Sequence, residues 1–133
     1  MTTTPPSKLR LGLRHELQFL LDNMARVYGA QDAAACAAMF TESASLYSPY
    51  APPTHGRAAI ETLHRMWTAE PSAKKFEILE FGGGDELAWA LAQFSEGAAT
   101  ANGTSLILFE RGPQAGWLIR ICSLNNTVTS ILV

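Results

Sequence analysis

The chain has 133 residues, 47% of them hydrophobic and 17% charged, with a net charge of −2. That length fits one domain able to bury its own core, and the composition excludes a disordered polymer. Basic residues form no stripe interleaved with aromatics, which sets nucleic acid aside as a partner; Lys74-Lys75 reads as a solvated strand end.

Met1 to about residue 8 is rich in Thr and Pro and reads as a disordered tail, leaving 9–133 as the single domain. Leu13, Leu17, Leu20, Leu21, Met24, Val27 and Tyr28 then recur in steps of three and four, the spacing of an amphipathic helix that Gly29 ends. The apolar run Leu17–Leu21 is too short for a signal peptide or a membrane span, so a cytoplasmic protein with no membrane partner is expected. Cys36 and Cys122 lack disulfide or metal spacing and read as reduced core thiols.

Asp32 is positioned to cap a short helix over Ala33 to Phe40. Ala44 to Ser48 reads as a short strand, and Pro49, Pro52 and Pro53 predict an irregular loop carrying Tyr50 and His55. A third helix follows Gly56 and runs to about Ala69, with Ile60, Leu63, His64 and Trp67 on one face. Strands are predicted over Lys74–Phe81, Glu86–Gly97, Thr104–Arg111 and Trp117–Ser130. Gly82-Gly83-Gly84 marks one turn and Asn102-Gly103 a hairpin turn. The glycine triplet opens a strand rather than a helix and lacks the Lys-Ser/Thr of a phosphate loop. Helices followed by a run of strands give an α+β architecture: three N-terminal helices packed on a curved antiparallel sheet.

Taken together, several segments resemble the nuclear transport factor 2-like superfamily, in particular its SnoaL-like branch. They are Tyr28-Gly29-Ala30-Gln31-Asp32-Ala33-Ala34-Ala35, Met39-Phe40-Thr41-Glu42-Ser43-Ala44, His55-Gly56-Arg57-Ala58-Ala59-Ile60, Gly84-Asp85-Glu86-Leu87-Ala88-Trp89 and Gly116-Trp117-Leu118-Ile119-Arg120. The resemblance spans roughly Leu13 to Val128. It implies a cystatin-like cone around one pocket, a small hydrophobic ligand, and a homodimer through the outer sheet face, on which Leu118, Cys122 and Leu124 would lie. The fold hosts many functions, so the chemistry has to be tested residue by residue.

Ketosteroid isomerases of this superfamily need a tyrosine, a carboxylate base and a protonated acid. Carried over by spacing, these positions fall on Met24, on Ser48 and near Ile107, none of which supplies that chemistry. Met24 and Ile107 would instead form pocket wall, and this is not a ketosteroid isomerase. The Asp-Arg-Asp arrangement of the epoxide hydrolase members is also missing, since Asp85 is the one aspartate after the third helix.

The remaining candidates are fewer. His64, on the inner face of the third helix, is the acid–base candidate; read blandly, it is a half-buried helix histidine bonded to a nearby carbonyl or tyrosine. Strand alternation assigns Trp89, Gln93 and Ser95 to the pocket side of one strand, and Ser123 and Asn125 to that of another. Gln93 and Asn125 would hold a ligand carbonyl or each other. Trp67 would be wall as well as core, and Tyr50, with Tyr47, a mouth lid. The histidines lack metal-ligand spacing and no cofactor motif is present. Two functions stay open: a cofactor-free isomerase, dehydratase or cyclase acting on a small hydrophobic substrate, or a non-catalytic ligand-binding, accessory or dimerisation protein. The inward positions assigned by alternation contain no Asp or Glu, which weighs against the first.

Overall fold

A computed structural model describes residues 6–96, 101–114 and 116–126. Residues 1–5 of the expected tail, and the expected last strand beyond Asn126, lie outside them. The first helix, α1 (Pro6–Gly29), begins earlier than its apolar stripe implied. It buries Leu17, Leu21, Met24, Val27 and Tyr28. After it, Gln31 takes a positive φ of 62° and turns the chain. Its side-chain amide donates to the carbonyls of Thr68 and Ala69, tying this corner to the end of the third helix.

Asp32 accepts a bond from the Ala35 amide and caps α2 (Ala33–Ala38), as the sequence implied. The chain then enters β1 (Phe40–Ser48), longer than expected, and turns at once into β2 (Ala51–His55). The segment expected to be an irregular loop is therefore a strand. Pro52 and Pro53 are tolerated because β2 lies at the sheet edge and its ladder to β1 is irregular opposite them, where the register shifts between Leu46 and Ser48. Arg57 opens α3 (Arg57–Trp67) and donates from both Nε and Nη2 to the Phe40 carbonyl, clamping the helix to β1.

Four long strands follow: β3 (Lys74–Gly83), β4 (Leu87–Glu96), β5 (Ala101–Arg111) and β6 (Trp117–Asn126). The sheet order is β2-β1-β6-β5-β4-β3. It is not wholly antiparallel: β1 runs parallel to β6. Asn102 and Gly103 are not the β4–β5 turn. They pair inside the ladder with Ser95 and Phe94.

Two ladder irregularities decide which side chains face the helices. In β6, Phe109 pairs with Ile119 but Leu108 pairs with Ile121, so Arg120 is an extra residue that reverses the alternation. Trp117 and Ile119 are buried before it, Cys122 and Leu124 after it. In β3 the register shifts between Ile78 and Glu80, leaving Leu79 half exposed. The core lies between α1 and the concave sheet face, where Ala88, Ala90, Ala92 and Phe94 of β4 are buried. The convex face carries Tyr47, Trp89 and Leu106, all more than a third exposed. Leu118, expected there with Cys122 and Leu124, is partly buried; the other two point into the core.

Candidate functional site

A cavity of about 260 Å³ opens at one end of the helix–sheet sandwich, lined by Tyr28, Tyr50, Trp67, Lys74, Phe94, Glu96 and Leu124. Each comes from the end of an element. Tyr28 is in the last turn of α1, Trp67 ends α3, Lys74 begins β3, Phe94 and Glu96 finish β4, Leu124 lies near the end of β6, and Tyr50 sits in the β1–β2 turn.

Four polar side chains meet in this apolar setting, Lys74, Glu96, Tyr28 and Ser72. Lys74 and Glu96 are direct partners across the β3–β4 ladder, so both project from the concave face. The Lys74 Nζ lies 3.9 Å from Glu96 Oε1, with its side chain only 6% exposed. Tyr28 donates its hydroxyl to Glu96 Oε2 at 2.6 Å, and Ser72 donates to the same oxygen at 3.1 Å. The ammonium also sits 4.3 Å from the centre of the Tyr28 ring, with Phe76, Phe94 and Trp67 at 5.5, 5.8 and 5.9 Å. Burial lowers the Lys74 pKa, and the Glu96 charge opposes this. The Tyr28 phenol is pushed well up, first by burial and then by its bond to the carboxylate. Tyr50, 45% exposed at the rim, is raised first by desolvation and then by the Glu96 charge.

His64 lies deeper. It is 3% exposed and packed among Tyr28, Phe40 and Trp67, with ring centroids 6.2, 5.9 and 5.4 Å away. Its Nδ1 donates to the Ile60 carbonyl of its own helix at 2.9 Å, so the ring is held as the neutral Nδ1–H tautomer. Burial lowers its pKa to about 4 despite that bond. The geometry is that of the bland alternative, a helix histidine tied to a carbonyl one turn back.

Several expected placements are corrected. Trp89 and Gln93 are exposed and Ser95 half buried, on the convex face of β4. The concave side of that strand takes alanines, whose small side chains let the helices close onto the sheet, so the larger residues are turned outward. Gln93 and Ser95 line an outer groove with Lys75, Asn102 and Thr104. Ser123 and Asn125 fall outward because of the Arg120 bulge. Met24 and Ile107 are core, 5% and 1% exposed, and neither lines the cavity. Lys74 is no solvated strand end, whereas its neighbour Lys75 is exposed. Of the expected pocket residues, Tyr50 and Trp67 do line the cavity. Tyr28, Lys74, Phe94, Glu96 and Leu124 were not singled out as site residues. The signal that finds them is the inward set Lys74, Phe76, Ile78 facing Ala92, Phe94, Glu96.

Among the described residues no group of three or more His, Cys, Asp or Glu is placed to hold a metal, and no helix is long and apolar enough to cross a membrane. Cys36 and Cys122 are buried free thiols, Cys36 pushed up to about 11 by burial.

A helical layer over a curved six-stranded sheet, with a pocket at one open end, defines an α+β cone of the cystatin-like kind. A SnoaL-like domain model matches residues 21–115, and the chain belongs to that family. No curated protein matches it in sequence. Among solved structures it is similar to a Mycobacterium tuberculosis protein of unknown function, with a TM-score of 0.85 at 15% identity, covering 97% of this chain and 80% of that one. A putative aromatic ring hydroxylase from Novosphingobium aromaticivorans superposes with a TM-score of 0.76 at 21% identity, covering 95% and 93%. A putative scytalone dehydratase from the same species gives 0.77 at 10% identity, covering 92% and 89%. At these identities the likeness is one of fold.

Proposed function

We propose that the chain is a cofactor-free, proton-transferring enzyme of the isomerase, dehydratase or cyclase type acting on a small hydrophobic molecule, with Glu96 as its acid–base group. One observation carries this reading: the carboxylate of Glu96 stands in the wall of an aromatic-lined cavity, bonded to the Tyr28 hydroxyl and facing the Lys74 ammonium. Corrected strand alternation supplies the inward carboxylate that the sequence reading lacked. Tyr28 and Ser72 orient it, and Lys74 supplies positive charge for a developing oxyanion. Family membership is consistent with that class, as is a structural neighbour named a putative scytalone dehydratase. His64 has its Nδ1 engaged by its own helix and is a poor rival for the role.

The test is isotope exchange. Small aromatic and alicyclic ketones are incubated with the protein in D₂O, and loss of the α-proton signal is followed by NMR. Glu96→Gln is expected to slow exchange by about a hundredfold or more. If no ketone exchanges, or if exchange is indifferent to Glu96→Gln, the second reading takes over: a pocket that binds a ligand without reacting it. That reading draws on the fact that Glu96 already has bonding partners within the protein.

A further inference from the structure

We propose that Lys74 is an imine-forming amine and that the molecules this pocket takes are small aldehydes or ketones, which it binds covalently. This deepens the reading of the pocket as a reaction site, and rests on it.

The argument begins with how Lys74 is held. A surface lysine keeps its ammonium in water, and a structural buried lysine saturates its three donors. Lys74 does neither. Its side chain is 6% exposed, yet among the described residues Nζ makes no hydrogen bond, and its nearest carboxylate oxygen is 3.9 Å away. Around it stand the rings of Tyr28, Phe76, Phe94 and Trp67. It also lines a cavity of about 260 Å³, against the ~150 Å³ of an apolar cavity known to hold benzene. A lysine desolvated by an apolar pocket gains neutral, nucleophilic amine at ordinary pH, and burial lowers the pKa of this one. The carboxylate beside it is the group that imine formation needs for moving protons.

The step balances without an oxidant, a reductant or a second substrate. Glu96 takes a proton from the Lys74 ammonium. The amine lone pair attacks the carbonyl carbon, forming the C–N bond as the C=O π pair moves to oxygen. A nitrogen proton passes by way of Glu96 to that oxygen, giving a carbinolamine. The C–O bond then breaks as Glu96 gives up the proton it holds: the hydroxyl leaves as water, the nitrogen lone pair forms the C=N bond, and a protonated imine on Lys74 faces the Glu96 carboxylate. When the carbonyl carries an α-proton, the Glu96 carboxylate stands on the same face to remove it from the protonated imine, a far stronger carbon acid than the parent ketone. The imine is thus a means to the isotope exchange proposed above.

The chain provides its own control, for its lysines are Lys8, Lys74 and Lys75, and Lys75 is the exposed neighbour. The purified full chain is incubated near pH 7.5 with a modest excess of benzaldehyde and sodium cyanoborohydride, which fixes any imine as a benzyl amine. Peptide mapping then locates the label. Lys74 is expected to be labelled about tenfold or more faster than Lys75, because desolvation beside the cavity leaves more of it as the nucleophilic neutral amine. Lys74→Arg, which keeps the charge, should remove that fast label and leave the rate at Lys75 unchanged, with circular dichroism confirming the fold. Labelling spread over Lys8, Lys75 and the N-terminus, with Lys74 slow, overturns the proposal without needing any variant. If Lys74 stays unlabelled while ketone exchange proceeds and depends on Glu96, the imine falls and the proton-transfer reading stands. If Lys74 is labelled but no ketone exchanges, the covalent site stands and the exchange reading falls.

Discussion

Two polar groups are sunk into the same apolar interior, and only one of them lines a cavity. His64 and the Lys74–Glu96 pair both lie against Tyr28 and Trp67. His64 is satisfied locally: its own helix accepts its proton, it is neutral, and aromatic rings pack around it. Lys74 and Glu96 are joined across two strands at the cavity wall, 3.9 Å apart, with open volume beside them. Burial alone shifts a titration; burial next to a void large enough for a ligand gives that shift something to act on.

The comparison can be broken most forcefully at the charge pair. Glu96→Ala leaves the Lys74 ammonium buried without its counter-charge, and the expected loss of stability in urea unfolding is about 3 kcal/mol. Adding Lys74→Met should recover most of that loss, because an apolar pair of similar volume avoids the desolvation cost, while the pocket stays inert toward ketones. A loss below about 0.5 kcal/mol for Glu96→Ala alone would mean that the pair is screened like a surface bridge.

His64 sharpens the comparison from the other side. Its folded pKa, about 4, lies below its ordinary value of 6.5, so the unfolded chain binds the proton first and protonation favours unfolding. Its contribution is therefore fully present above pH 6.5 and is eroded as the pH falls toward 4, with a slope of at most about 1.4 kcal/mol per pH unit. His64→Gln should flatten the stability–pH curve in that window and keep the ketone exchange that Glu96→Gln removes. Loss of exchange in His64→Gln would return the chemistry to the histidine.

A smaller effect is expected at Gly83, where φ is +135° and an added Cβ would lie 2.4 Å from the Ala88 Cα. Gly83→Ala should cost about 1–3 kcal/mol in thermal unfolding without altering ligand chemistry, since the position is remote in sequence and ladder from Lys74 and Glu96. Equal effects on stability and chemistry would show that the pocket depends on the far end of the sheet.

Much of the architecture was legible in the residues. The three- and four-step stripe of α1, the Asp32 cap and the inner face of α3 follow from local rules, and the order of elements fixes an α+β layout. The site was harder to read, because it depends on which face each strand presents. Simple alternation turned Trp89 and Gln93 inward by taking the larger apolar residues as core, whereas the interior accepts Ala88, Ala90 and Ala92. In β6 a single bulge residue, Arg120, reversed Ser123 and Asn125. A one-residue slip changes the face of every side chain that follows, and no local propensity announces it. Lys74 and Glu96 look solvated when read one at a time; only their cross-strand register shows that they meet.

The most direct measurement is a crystal structure of the chain soaked with a small aromatic ketone such as acetophenone, with the bound molecule located by its density. The account predicts the ring between Trp67 and Phe94 with its carbonyl carbon at Lys74 Nζ, and no occupancy of the outer groove beside Gln93. A ligand seated in that outer groove, or an empty cavity at saturating ketone, would contradict it.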